Sequence, residues 1–287
     1  MDANAALLAR LARRQARRWG SMLRWRRYSL RGVPVLFATS FPKSGTHLLT
    51  QVLEGFTRVG PAVVSGLPAV VTYAGDSGRT RAEAEILADL RRLRPGDIGY
   101  GHVHATPATI DTLCQPGWAG YFMLRDPRDV VVSHVHYVTE MEPSHIHHRY
   151  YSEELKSFDE RLLVSILGRP ESGIEFPDIA LRFQPFLGWI GRPEVLALRF
   201  EEFNQDQRAG IQQALEHAVE RGFPLAVPLE QAIPNVLQGL DPGRSPTFRR
   251  GKSGGWREAF TTQHKEAFKQ VAGDLLVRLG YEKDLSW

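Results

Sequence analysis

Residues 33–56, which read VPVLFATSFPKSGTHLLTQVLEGF, decide the fold. The apolar run 33–39 is typical of a buried strand, and 46–57 can wind as a helix with its apolar side chains on one face. A turn that contains Gly45 lies between them. A turn that opens a helix presents free backbone N–H groups at the positive end of the helix dipole, which suits an anion. Lys43 adds a full charge, so the pattern predicts a phosphate-binding loop.

The position of Lys43 separates this loop from the loop of ordinary ATPases. The Walker sequence G-x-x-x-x-G-K-[ST] places its lysine directly after the second glycine. Here Lys43 comes two residues before Gly45, which is the only glycine of the loop. The sequence therefore predicts an anion site of another type.

The composition is that of an ordinary globular protein. The chain has 287 residues, 43% apolar and 24% charged, which is enough for a sizeable core. No apolar run approaches the roughly 20 residues that a membrane-spanning helix needs. The single cysteine, Cys114, excludes an intrachain disulfide framework and favours a reducing compartment, so we expect a cytoplasmic location. No Ser- or Pro-rich linker follows residue 32, which predicts a single domain over 32–287.

Residues 1–31 form a basic extension. They hold nine arginines against one acid, a net charge of +8, whereas the whole chain has +4, which leaves −4 for residues 32–287. Leucine and tryptophan alternate with these arginines, a composition typical of a helix that lies on an anionic membrane surface, here the inner face of a membrane. Two other interpretations remain open, a helix that packs its Leu/Trp stripe on the domain and a targeting peptide. Nothing beyond the extension offers a basic surface for nucleic acid, so we expect no such partner.

Strands and helices alternate along the rest of the chain. Strands are predicted at 33–39, 98–103, 119–124 and 194–199, and helices at 46–57, 80–92, 127–140, 204–220 and 262–279. This alternation predicts an α/β protein, with a central parallel sheet and helices on both faces. Ligands in such sheets bind at the carboxyl ends of the strands. The segments 61–79 and 141–178 lack periodicity and are predicted as surface loops that contact substrate.

Two further segments suggest anion binding. Residues 125–133, RDPRDVVVS, follow a predicted strand, so that Arg125 stands at the strand end and Ser133 on the next helix. A guanidinium and a hydroxyl can converge on a tetrahedral anion, although Arg125 could equally form a salt bridge with a nearby aspartate. Residues 248–256, FRRGKSGGW, precede the last helix and by themselves read as a solvated basic loop.

Together the three segments resemble the sulfotransferase family that uses 3′-phosphoadenosine 5′-phosphosulfate (PAPS). Residues 42–46 match the P-K-S-G-T motif of that family letter for letter. Residues 125–133 match its R-[ND]-P-[RK]-D-x-x-x-S motif with unchanged spacing, and 248–256 approximate its F-x-R-K-G-x-x-G-D-W motif, with Gly255 where aspartate is usual. The resemblance spans about residues 33–280 and implies a P-loop-type three-layer fold.

The resemblance also implies site roles. The backbone of Ser44, Gly45 and Thr46 would hold the 5′-phosphate, and Lys43 would stabilise charge on the oxygen between phosphate and sulfonate. His47 belongs to the same site but stands where the family often has tryptophan, so adenine stacking is assigned to Phe200. The 3′-phosphate would contact Arg125 and Ser133, together with Arg249, Arg250 and Gly251 of the third segment. The product would be adenosine 3′,5′-bisphosphate (PAP), and no metal is required.

A base must remove the proton of the acceptor, and histidine suits this role near neutral pH. The family carries a histidine in a G-H-x-P or T-H-x-P segment, which corresponds to residues 101–105, GHVHA. His102 fits this frame and is the predicted base. His104 is the second candidate, since residues two apart lie on the same face of a strand.

The predicted reaction is in-line transfer of the sulfonate to a hydroxyl, or less favourably an amine, of a small-molecule, carbohydrate or lipid-linked acceptor. Two other functions remain open, a P-loop kinase-like enzyme and a non-catalytic nucleotide-binding protein at a membrane surface. The histidines of 134–148 lack the spacing of a metal site and are not expected to bind a metal. The acceptor and the oligomeric state cannot be read from the sequence.

Overall fold

The structure, a computed structural model, describes residues 3–75, 78–169, 176–244, 251 and 253–287. Within these residues six strands form one sheet in the order β2-β4-β1-β5-β6, and β3 pairs with the far end of β4. All the pairings between strands are parallel. The strands are β1 (Val35–Ser40), β2 (Val63–Val64), β3 (Val70–Val71), β4 (Asp97–His102), β5 (Trp118–Leu124) and β6 (Val195–Arg199).

Helices cover both faces of this sheet. They are α1 (Ala3–Arg24), α2 (Thr46–Gly55), α3 (Glu83–Arg91), α4 (Pro107–Cys114), α5 (Pro127–His136), α6 (Phe158–Leu167), α7 (Ile179–Phe183), α8 (Phe200–Gln205), α9 (Gln207–Glu220), α10 (Leu229–Leu237), α11 (Trp256–Ala259) and α12 (Thr262–Arg278). None of the helices in the described part of the chain is long and apolar enough to cross a membrane.

Alternate residues of β1 face two separate cores, as the period of a strand requires. Val35 and Phe37 belong to one buried cluster, which includes residues of α5, α6 and α12. Leu36 and Ala38 belong to the other, which includes residues of α2, α9 and α10. The predicted three-layer α/β fold is therefore confirmed.

The predicted strands agree with the structure to within two residues, while the helices differ more. The helix predicted over 127–140 ends at His136 and continues as a π-helical turn, Tyr137–Met141. The segment 141–178 was expected to be a loop, but it contains α6, which begins at a capping box formed by Ser157 and Glu160.

Helix α1 docks on the domain through arginines. Arg14 and Arg18 reach the fully buried carboxylate of Asp97 at 2.9 and 2.8 Å. Leu8, Trp19 and Leu23 point outward, with exposed fractions of 67%, 65% and 83%. The alternative in which the Leu/Trp stripe packs on the domain is therefore wrong for these side chains. Asp97 explains this orientation of α1. A buried carboxylate is tolerated only beside cations, so the arginine face of the helix packs on the domain and the Leu/Trp stripe faces outward.

The strand ends define where a site can form. Strands β1, β4, β5 and β6 run parallel and end at Ser40, His102, Leu124 and Arg199. Their carboxyl ends therefore share one edge of the sheet. The predicted phosphate-binding loop, residues 41–45, follows β1 at this edge. Arg125 directly follows β5, and Phe200 directly follows β6.

Candidate active site

The loop between β1 and α2 has an unusual backbone. Lys43 has φ 69° and Gly45 has φ 101°, both in the left-handed region that L-residues with a Cβ rarely adopt. Such strain is found at ligand-binding sites, where the surrounding structure maintains it. Gly45 is the N-cap of α2, and no side chain caps this end of the helix in the described residues. The first N–H groups of α2 are therefore available to a ligand.

Most of the predicted loop residues line a cavity, with one exception. Lys43, Gly45, Thr46 and His47 lie on the cavity wall. Ser44 is fully buried behind the loop, and its N–H donates to the carbonyl of Phe41 at 3.1 Å. The Ser44 N–H thus closes the turn, and the loop offers its other groups to an anion.

The ammonium group of Lys43 lies over the ring of Tyr137, with Nζ 3.8 Å from the ring centre. Such a contact between a cation and a ring face is attractive and holds the side chain in place. Burial, and secondarily the charge of Arg125, lower the pKa of Lys43 to about 8. Tyr137 belongs to the π-helical turn, and no pattern in the sequence singled it out.

Arg125 and Ser133 both reach this cavity. The guanidinium of Arg125 lies 4.6 Å from the ring centre of Phe200, donates a long hydrogen bond to the carbonyl of Lys43 at 3.4 Å, and stands 3.9 Å from Asp129. The salt-bridge interpretation and the anion-site interpretation are thus compatible. Phe200 is 7% exposed, and Arg125 lies over its ring. Little of the ring face is therefore accessible for stacking with adenine.

Asp129 ties the third segment to α5. Its carboxylate accepts hydrogen bonds from the backbone N–H of Gly254 at 2.7 Å and of Trp256 at 2.9 Å. The side-chain amide of Asn204 donates to the carbonyl of Gly251 at 3.0 Å. Gly251 lies on the cavity wall, whereas Arg249 and Arg250 lie outside the described residues.

Arg128, the second arginine of the 125–133 segment, has a structural environment. It is 1% exposed, its guanidinium contacts Asp126 at 2.7 Å and Glu282 at 2.5 Å, and it lies 3.8 Å from the ring centre of Trp256. Both of its charge partners are protein carboxylates. Arg128 therefore fastens α5 to the C-terminal region and does not face the cavity.

His102 has the geometry of a proton acceptor. Its Nδ1 lies 2.8 Å from the carbonyl oxygen of Ser40, so Nδ1 carries the hydrogen of this bond. The neutral ring then has its lone pair on Nε2, because the bond made by one nitrogen determines the tautomer. Burial above all, then the charges of His47 and Lys43, lower the pKa of His102 below its usual 6.5. The ring is thus neutral at pH 7, and His102 lies on the cavity wall.

His104 lies in different surroundings. Its ring packs edge-on against Tyr73 and Phe186, at centroid distances of 5.4 and 4.8 Å, and it does not line the cavity. Its Nε2 is buried with no hydrogen-bond partner among the described residues. Burial lowers the pKa of His104 to about 4. Of the two candidates for the base, His102 is the one that faces the cavity.

The cavity has a volume of about 1710 Å³, larger than the ~300–1,000 Å³ of a typical small-molecule pocket. Its wall includes the charged groups of the three segments and, beyond Lys43, a region of aromatic and histidine side chains. This region includes Phe41, His134, His145, Phe176, Arg182 and Phe186. The volume is sufficient for two ligands side by side.

The histidines of this region have protein partners of their own. His134 bonds Ser165 at 2.9 Å, His136 bonds Glu140 at 2.7 Å, and His148 bonds the carbonyl of Val138 at 2.6 Å. Within the described residues no group of histidine, cysteine and carboxylate side chains is arranged to hold a metal ion.

Solved structures share this architecture. Mouse sulfotransferase SULT7A1 complexed with PAP superposes with a TM-score of 0.56 and 17% identity, over 95% of this chain and 92% of that chain. Retinol dehydratase in complex with androsterone and the inactive cofactor PAP gives a TM-score of 0.56 and 14% identity, over 84% and 80%. The chain has the sulfotransferase fold. No protein-family model and no curated protein matches the sequence.

Some residues of the site carry no recognisable signal in the sequence. Asn204 and Arg182 stand in segments without a motif, so nothing in the sequence related them to the cavity. Asp129 is different, because it lies inside the 125–133 segment and its spacing from Arg125 was visible. Its role became clear only with the partners Gly254 and Trp256, which are distant in sequence.

We expect Asp129→Asn to loosen the third segment. An amide oxygen can accept one of the two N–H groups, but the NH2 group opposes the other, and a hydrogen bond to a charged group contributes about 1.5–3 kcal/mol. The amides of Gly254 and Trp256 should then exchange hydrogen about tenfold faster, measured by NMR or mass spectrometry. Asp111→Asn, an exposed change on α4, is the control. Unchanged exchange at both amides would contradict this role of Asp129.

Proposed function

We propose that this protein transfers the sulfonate of PAPS to an acceptor hydroxyl. The observation that carries the proposal is one cavity that holds a phosphate-type loop with Lys43, a second cationic position at Arg125, and a neutral histidine, His102. The likeness of the fold to sulfotransferases crystallised with PAP supports the choice of nucleotide. An amine acceptor remains within the same proposal.

The donor is assigned to the three segments. The free N–H groups at the start of α2, with Thr46 and His47, bind the 5′-phosphate, because a helix N-terminus favours anions. Arg125, Ser133 and Gly251 face the 3′-phosphate, and Arg249 and Arg250 are proposed to join them from outside the described residues. We infer that Phe200, predicted to stack on adenine, positions Arg125, whose guanidinium lies over its ring.

His102 and Lys43 have separate roles in the proposed transfer. Bound PAPS supplies a sulfonate, whose bond to the phosphate oxygen breaks as the acceptor oxygen forms a bond to sulfur. His102 Nε2 takes the proton of the acceptor, since Nδ1 is bonded to the carbonyl of Ser40 and His102 lines the cavity. Lys43 stabilises the negative charge that grows on the leaving phosphate oxygen, as a cation held in place at the developing charge does effectively.

Nucleotide binding separates this function from a kinase-like one. We expect calorimetry to show binding of PAP, and Arg125→Gln to weaken it roughly 10- to 100-fold, because a hydrogen bond to a charged group contributes about 1.5–3 kcal/mol. Arg208→Gln, an exposed change on α9, should leave the affinity unchanged. Tight binding of ATP with Mg²⁺ in place of PAP would support the kinase-like alternative. Binding of PAP without transfer to any phenol, alcohol, amine or carbohydrate would support a non-catalytic protein.

The base assignment predicts a difference between two neighbouring variants. His102→Ala should lower kcat about 10²–10⁴-fold, the usual contribution of general-base catalysis, while PAP affinity persists. His104→Ala should keep kcat near the wild-type value. In the wild type, kcat/KM for the donor should decline as the pH falls through a pKa below 6.5, since protonated His102 accepts no proton. An inactive His104→Ala enzyme beside an active His102→Ala enzyme would reverse the assignment.

We also propose that α1 binds a membrane surface, with residues 1–31 as an extension to a single domain over 32–287. Arg14 and Arg18 are occupied by Asp97, which fixes the helix with Leu8, Trp19 and Leu23 outward. Exposed arginines such as Arg10 and Arg13 are available for anionic headgroups. This arrangement of apolar and basic side chains matches helices that lie in a membrane interface, and we assign it to the cytoplasmic side.

Vesicle binding tests this contact. The double variant Trp19→Ser/Leu23→Ser should lower the affinity for phosphatidylserine-containing vesicles at least about 100-fold, since burial of each side chain contributes about 1.5–3 kcal/mol. Leu167→Ser, which changes an exposed leucine of α6, is the matched control. Equal sedimentation of wild type and double variant with these vesicles would refute the contact.

A further inference from the structure

Arg182 extends from the short helix α7 into the wall of the cavity. Its guanidinium donates a hydrogen bond to the carbonyl of Ser165 and lies 4.3 Å from the ring centre of Phe176. Its Nε is buried and has no hydrogen-bond partner among the described residues. The side chain is therefore held in place by the protein while part of its donor capacity stays unused.

The charge of Arg182 is balanced less directly than that of other buried arginines in the described residues. Two other buried arginines, Arg14 and Arg128, contact carboxylates at 2.9 and 2.7 Å. Arg182 forms no ion pair with any carboxylate in the described part of the chain. The charge of Asp178, one turn away, favours the cation from beyond ion-pair distance, while its carboxylate caps α7 by accepting from the N–H of Leu181. Burial lowers the pKa of Arg182 to about 10, so the group is still a cation at pH 7. A buried cation without a carboxylate in direct contact is costly unless a ligand supplies an anion.

A chain of side-chain contacts connects Arg182 with the proposed reaction centre. In order, it runs from Lys43 to Tyr137 (3.8 Å), His145 (5.7 Å), His134 (5.9 Å), Phe176 (5.3 Å) and Arg182 (4.3 Å). All six residues line the same cavity. Arg182 thus lies beyond the proposed sulfonate position, in the part of the cavity left for the acceptor.

The groups around Arg182 are neutral or already engaged. Burial lowers the pKa of His134, His145 and His147, so these rings offer hydrogen bonds but no charge at pH 7. Glu142 lines the same region, and its carboxylate accepts from the hydroxyl and the N–H of Ser144. Arg182 is therefore the cation that an acceptor would meet beside Phe176.

We propose that the acceptor is an amphipathic hydroxyl compound with an anionic group, a carboxylate or a phosphate, bound by Arg182. This inference rests on the proposed function and specifies its substrate class. The guanidinium fork of Arg182 matches the geometry of such anions. Phe41, Phe176 and Phe186 form an apolar wall for the body of the molecule. The hydroxyl then points back along the contact chain to Lys43 and His102.

Binding of simple probes tests this subsite without turnover. Phenylacetate and benzylphosphonate, which represent the two anion types, should bind the protein in calorimetry at least tenfold more tightly than the neutral phenylacetamide. Arg182→Gln should abolish this preference and leave phenylacetamide unchanged. Arg161→Gln is the matched control, because Arg161 is half-buried near the same region, donates to the carbonyl of Leu155 and does not line the cavity. PAP affinity of each variant reports whether the fold is intact.

The outcomes distinguish the subsite from the function. Three results would overturn the subsite. The anions and the amide could bind with equal affinity, or the preference for anions could survive Arg182→Gln. The third result is no binding of the probes at about 10 mM, which means a complex weaker than millimolar. PAP binding and sulfonate transfer would then still support the proposed function. A preference for phenylacetate in a protein that does not bind PAP would support the subsite and overturn the function. With both intact, 4-hydroxyphenylacetate should exceed 4-hydroxyphenylacetamide in kcat/KM at least tenfold, and only in enzymes that keep Arg182.

Discussion

The left-handed turn between β1 and α2 is the constraint on which the site depends. A side chain at residue 45 would place its Cβ 2.6 Å from the ring of Phe200, so the loop, the end of β6 and α8 fit together only around a glycine. Phe200 in turn lies beneath Arg125, and Arg125 donates to the carbonyl of Lys43. The positions of the loop, of Arg125 and of Phe200 therefore depend on one another. A change at Gly45 would disturb both anion positions together.

Burial controls the charges of the cavity. Burial removes solvent from the lysine and from two of the histidines, which lowers the pKa of Lys43, His102 and His134. Lys43 and Arg182 nevertheless stay cationic at pH 7, while His102 and His134 stay neutral. A cavity with fixed cations and neutral rings attracts anionic ligands and still contains a group that accepts a proton. That combination is what transfer between an anionic donor and a hydroxyl requires.

The sequence predicted four of the six strands because strand periodicity and the loop pattern are local, whereas the two-residue strands β2 and β3 fall in the segment 61–79, which was predicted as a loop. Residues 33–39 and 119–124 contain the whole signal for β1 and β5, and the 125–133 spacing places Arg125 and Ser133 without knowledge of the fold. The orientation of α1 was not predictable in this way, since its arginine stripe and its Leu/Trp stripe both look like a docking face. Asp97, at the start of β4, decides between them. Arg182 was missed for a related reason, because it stands out only by having no carboxylate within ion-pair distance among the described residues, and no sequence pattern expresses that.

The hydrogen bond from His102 to the Ser40 carbonyl affects how strongly the ring would hold a second proton. In catalytic triads a carboxylate orients the histidine and stabilises the imidazolium that forms. A backbone carbonyl supplies orientation with only a partial charge, and Lys43 and His47 next to the ring disfavour a further positive charge. In the proposed reaction, a proton taken up by His102 would therefore be held weakly and would pass readily to solvent or to the departing anion.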